Sequence, residues 1–148
     1  MKTIFLFVMV IVLTYFAGQW LGQANIKKID TSEITHISYC DPTKQICIMD
    51  KNDIHYNLQF NGVPSALSPF LVLVKINGLQ PDFIELAFDM EGMDMGYNKH
   101  SLVKNKTDWQ AKVILPVCTL GRNDWILNVK MMFDNKSVIT QYKFSQSE

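Results

Sequence analysis

Three methionines stand within six residues, in the run Met90-Glu91-Gly92-Met93-Asp94-Met95-Gly96-Tyr97-Asn98. A thioether sulfur is soft and has no proton to lose. It suits Cu(I) and few other biological metals. In an extended chain side chains alternate, so Met93 and Met95 share a face and Asp94 takes the other. Met90 is out of phase with them. Gly92 and Gly96 permit turns that would bring its sulfur back. His100 is the nearest imidazole, and with Asp94 or Glu91 it would add the nitrogen and oxygen that Cu(II) prefers. The candidate ligands are therefore Met93 and Met95, with Met90 and His100 as additions. Methionine also fills irregular gaps well, so the same cluster reads equally as packing at an open sheet end. A hard-cation site built from Asp89, Glu91, Asp94 and Asn98 does not match the spacing of the twelve-residue calcium loop.

The chain has three cysteines, Cys40, Cys47 and Cys118. Cys40 and Cys47 flank Asp41-Pro42-Thr43-Lys44-Gln45-Ile46, where Pro42 presets the second position of a tight turn. A disulfide closing this loop is the simplest pairing. It leaves Cys118 odd, as half of an intermolecular bond, a free thiol, a ligand or a small buried hydrophobe. No C-x-x-C supports thiol exchange. A Cys118/His100 nucleophile pair would have nothing in sequence to orient its base. No phosphate loop, dinucleotide fingerprint, zinc-protease helix or G-x-S-x-G is present. The chain reads as non-enzymatic. Two glycosylation sequons, at Asn105 and Asn135, are short enough to arise by chance.

The elements that must position these residues are strands. Ile54, Tyr56, Leu58 and Phe60 alternate with polar residues, as do Phe70, Val72, Val74 and Ile76. Ile84, Leu86 and Phe88 follow, directly before the methionines. Trp109, Ala111, Val113 and Leu115 make another such row. Trp125, Leu127, Val129, Met131 and Phe133 turn at Asp134-Asn135-Lys136 into Val138, Thr140, Tyr142 and Phe144. Period-two alternation means one buried and one wet face. No stretch after residue 25 sustains a helical period. The pattern predicts an all-β, antiparallel, immunoglobulin-like sandwich of about seven or eight strands, preceded by an N-terminal hydrophobic segment. The segment Asn61 to Pro69 reads as a turn-rich crossover between strands.

Residues 1–24 read as a signal peptide or membrane anchor, 25–35 as a spacer and 36–148 as the sandwich domain. The apolar run Thr3 to Ala17, roughly 15 residues, is nearer a signal region than the roughly 20 of a full span. Counted to Leu21 it just reaches a span, with Trp20 at the interface. Either way the domain is expected outside the cytoplasm, where a cysteine pair is oxidised. The 14 basic and 14 acidic residues balance, and no basic stripe exists, which disfavours nucleic acid as a partner.

The run Met93-Asp94-Met95-Gly96-Tyr97-Asn98, followed by Leu102, Trp109 and Leu115-Pro116-Val117-Cys118, resembles the small exported YtkA-like and FixH-like domains. The resemblance covers most of residues 36 to 133. It implies an immunoglobulin-like fold, copper as cofactor, and Met93 and Met95 as the first ligands, with His100 carried over less directly. It also implies a periplasmic setting, with or without an inner-membrane anchor, and partners among the assembly proteins of copper-dependent respiratory oxidases. The reading of a different class is a metal-free interaction module whose Met loop is a hydrophobic contact surface.

Overall fold

Every second residue of the strand Asp124–Phe133 is buried, Trp125, Leu127, Val129, Met131 and Phe133 facing one way. That row is the pattern of the whole domain. The computed structural model describes residues 32–51, 54–93, 95–106, 108–134 and 136–147. The apolar segment read as a leader or anchor lies outside the described residues, as does Asp94. Among the described residues ten strands follow in order: β1 (Ser32–Ser38), β2 (Cys47–Lys51), β3 (Ile54–Asn61), β4 (Pro69–Ile76), β5 (Phe83–Asp89), β6 (Lys99–Ser101), β7 (Val103–Asn105), β8 (Asp108–Ile114), β9 (Asp124–Phe133) and β10 (Lys136–Ser145).

The strands form two five-stranded sheets, ordered β1-β10-β9-β5-β6 and β2-β3-β4-β8-β7. All pairs are antiparallel except β1 with β10. The order β3-β4-β8-β7 is the A-B-E-D sheet of an immunoglobulin-like sandwich, and β5-β9-β10 is its C-F-G sheet, with β6 as C′. The expected fold class is therefore the observed one. The two further strands are β1, which starts inside the segment read as a spacer, and the edge strand β2. The segment 62–68 is the turn-rich connection between two strands. It joins β3 to β4, which are adjacent antiparallel neighbours in one sheet.

The core lies between the inward rows. Tyr56, Leu58, Val72, Val74 and Val113 come from one sheet, and Ile84, Leu86, Phe88, Leu127 and Tyr142 from the other. Burial of such aliphatic and aromatic side chains stabilises by roughly 1.5–3 kcal/mol each. A polar link crosses the core: the Tyr56 and Tyr142 hydroxyls meet at 2.9 Å. Burial pushes the Tyr142 phenol up to about 12 and raises Tyr56 as well, so both stay neutral donors and acceptors.

The Cys40–Cys47 disulfide is formed, with the two Cα atoms 5.7 Å apart. Asp41 organises the loop it closes. The Asp41 carboxylate accepts from the Thr43 N–H (2.9 Å), and its carbonyl accepts from the Lys44 N–H (3.1 Å). Pro42 takes the position that suits its fixed φ. Loop-closure entropy for so short a loop is worth about 2–3 kcal/mol. A Cys40→Ser/Cys47→Ser variant is expected to lose about that much unfolding free energy in a denaturant titration. A loss below about 0.5 kcal/mol would show that the cross-link hardly restrains the unfolded chain. The disulfide is compatible with an oxidising, extracytoplasmic compartment.

Candidate metal centre

The inward row of β5 runs Ile84, Leu86, Phe88 and continues one step past the strand to Met90. Met90 is only 3% exposed and belongs to the core. The chain then turns: the Met93 N–H donates to the Met90 carbonyl at 3.2 Å. Gly92 holds φ +71° in that turn, with open space around it, so its glycine is required by backbone conformation and not by crowding. The turn returns Met93 alongside Met90 as an isolated bridge. Met93 and Met95 are half-buried and pack against the edge of the core.

The second wall comes from the segment between β8 and β9. Leu115 is the last buried residue of the β8 row, and Cys118 follows at 5% exposure. The Gly121 N–H closes a turn on the Cys118 carbonyl (3.0 Å). Topology brings the two segments together. β5 and β9 are antiparallel, with Asp89 opposite Ile126, so the chain leaving β5 and the chain entering β9 lie at the same sandwich end. The outcome is a sulfur pair: Cys118 Sγ stands 3.6 Å from Met93 Sδ. A cleft of about 440 Å³ opens there, walled by Met93, Met95, Cys118, Pro116, Val117 and Leu120.

Arg122 ties the two segments. Its Nη1 donates to the Glu91 carbonyl at 2.8 Å, and its Nε donates to Asp124 Oδ1 at 2.8 Å. Nη2 completes a two-point pairing with Asp124 Oδ2, a geometry the planar guanidinium favours. These hydrogen bonds hold the Asp124 carboxyl below its usual range. The same guanidinium is in electrostatic reach of Cys118.

The donors on this cleft are therefore one thiol and two thioethers. That set fits a soft monovalent ion such as Cu(I) and suits hard cations poorly. Among the described residues no group of three or more His, Cys, Asp or Glu forms a metal-holding cluster. The acidic residues near the loop face other partners: Asp89 accepts from Asn128 (3.1 Å), and Glu91 pairs with Lys143 (3.6 Å).

His100 stands elsewhere. β6 pairs with β5 and sets it opposite Leu86. Its ring meets Phe88 edge-on at 5.9 Å, and its Nε2 bonds Asn98 Oδ1 at 3.1 Å. It lines a separate cleft of about 490 Å³ with Leu71, Ser101, Gln110 and Lys112. Of the sequence-derived ligands, Met93 and Met95 thus share a cleft, while Met90 sits in the core and His100 lines another surface. The residue that sequence reasoning did not place beside the methionines is Cys118. The cue was topological: in this fold the segment after strand C and the segment before strand F share an end.

Burial lowers the His100 pKa below its ordinary 6.5. The folded state thus holds fewer protons on this ring than the unfolded state does. The stability it contributes is present above 6.5 and is lost as pH falls through the lower folded value. Unfolding free energy is expected to decline as pH falls below about 6.5, and His100→Gln should flatten that decline. An unchanged slope in the variant would remove His100 as its source.

No protein-family model matches the chain, and no curated protein matches it. Among solved structures, a crystal structure of an engineered protein overlaps 72% of this chain and 21% of its own, at 11% identity and a TM-score of 0.46. A likeness at that level carries no argument about function. The class is defined by the chain itself: an immunoglobulin-like sandwich with a sulfur-walled cleft at one end.

Proposed function

We propose that this chain is a non-enzymatic copper-binding accessory protein that works outside the cytoplasm, with Met93 and Met95 as thioether ligands to Cu(I). The observation that carries the reading is the placement of both methionines on one open cleft beside a thiol. Thioethers are neutral and bind weakly, so a site built on them releases its ion by ligand exchange. Partners of this chemistry are copper-accepting proteins, of which assembly factors for copper-dependent respiratory oxidases are the kind suggested by the resemblance to YtkA-like and FixH-like domains. The disulfide supports the extracytoplasmic setting, and a periplasmic site near the membrane suits the role.

One observation favours a second reading. Tyr97 is 87% exposed and Leu120 75%, at the same end of the sandwich. An apolar rim of this kind suits contact with another protein whether or not a metal is carried. The test is a Cu(I) titration of the purified protein against a competing chelator under anaerobic conditions. Uptake of one ion per chain supports the copper reading. No uptake at chelator strengths that release weakly held copper leaves the metal-free interaction module.

A further inference from the structure

We propose that Cys118 is the third ligand of this cleft, so that Cu(I) is held by one thiolate and two thioethers; the inference rests on the reading of the cleft as a copper site. Four features support it. The first is distance. Metal–sulfur bonds near 2.3 Å, as for zinc thiolates, put two sulfurs of a trigonal site about 4 Å apart. Cys118 Sγ and Met93 Sδ already stand at 3.6 Å, so both reach one ion after a shift of a few tenths of an ångström.

Charge is the second feature. A monovalent cation bound by thioethers alone would bring a net charge into a half-buried, apolar cleft, which is costly without a counter-charge. A thiolate makes the site neutral. In forming the bond, the Cys118 sulfur gives a lone pair to Cu(I), its proton leaves to solvent, and no oxidation state changes. The third feature is availability. Cys40 and Cys47 are joined to each other, which leaves Cys118 as the free thiol. It is buried against the body of the sandwich yet forms part of the cleft wall.

The fourth feature is the bracket around it. Arg122 stands four residues after Cys118 and donates to the carbonyl of Glu91, two residues before Met93. Its pairing with Asp124 anchors that link to the start of β9. The methionine segment and the cysteine segment are therefore held in register without help from an ion. Such a pre-set site takes a soft cation with little rearrangement.

Copper K-edge X-ray absorption on the protein loaded with one Cu(I) reads the ligand set directly. Three sulfur scatterers are expected, falling to two with Cys118→Ser, together with a loss in Cu(I) affinity of more than about a hundredfold. That exceeds what removing outer-shell groups does at metal sites. If the serine variant folds poorly, Cys118→Ala and the sulfur count of the unmodified protein decide instead. A two-sulfur shell that Cys118→Ser leaves unchanged overturns the role of Cys118 and leaves Met93 and Met95 as ligands. Unchanged affinity in a folded Cys118 variant does the same. Failure of the unmodified protein to take up any copper overturns both readings.

Discussion

Replacing Met93 and Met95 together by leucine is expected to lower Cu(I) affinity by more than about a hundredfold, beyond the roughly ten- to hundredfold lost when outer-shell groups of metal sites are removed. The same change should leave unfolding free energy within about 1.5 kcal/mol of the parent, because leucine and methionine are close in volume. The two effects separate because the side chains have two tasks. They pack against the core, which leucine can also do. They also line the cleft, where leucine offers no sulfur. A packing role alone would predict the reverse: little change in metal affinity and a stability change that follows shape. Competition with a chelator and a denaturant titration on the same two proteins distinguish these outcomes. A double variant that keeps parental affinity would move the ion away from the thioethers.

Trp125→Ala is expected to cost about 3–5 kcal/mol of unfolding free energy, the usual range for removing a large buried aromatic. Trp125 is 1% exposed at the start of β9. Its indole N–H donates to Gln146 Oε1 at 3.0 Å, and its backbone pairs with Phe144 of β10. Alanine would leave a cavity in the core behind β9, the strand whose first residue, Asp124, anchors Arg122. The change should therefore also loosen the tie between Arg122 and Glu91 and weaken metal binding without touching a ligand. A denaturant titration would measure the first effect. A loss below about 1.5 kcal/mol would mean that the surrounding core collapses into the space.

The long strands were legible because their buried rows alternate over enough residues to show a period. β3, β4, β5, β8, β9 and β10 all carry that alternation, and their inward residues are those the pattern selects. β6 and β7 span three residues each, too few for a period to emerge. The parallel pairing of β1 with β10 joins segments a hundred residues apart in chain order, and nothing local encodes it. The Cys40–Cys47 link was legible because Pro42 and the short spacing describe a tight loop.

The cleft was half legible. Strand phase separates Met90 from Met93 and Met95, and the structure agrees in placing Met90 in the core row of β5. His100 is near the methionines in sequence and apart from them in the fold. Two-residue periodicity and the β5–β6 register carry its ring to Phe88 and a different cleft. Cys118 is 25 residues from Met93 in sequence. Their meeting depends on which loops share an end of the sandwich, which is a property of topology and not of either segment.

Methyl NMR of the protein with ¹³C-labelled methionine methyls tests the sulfur cleft most directly, since it reports both whether Cu(I) binds and where. On addition of one equivalent of Cu(I), the methyl resonances of Met93 and Met95 should move, while those of Met49, Met131 and Met132 stay in place. A spectrum in which neither Met93 nor Met95 responds would contradict the account.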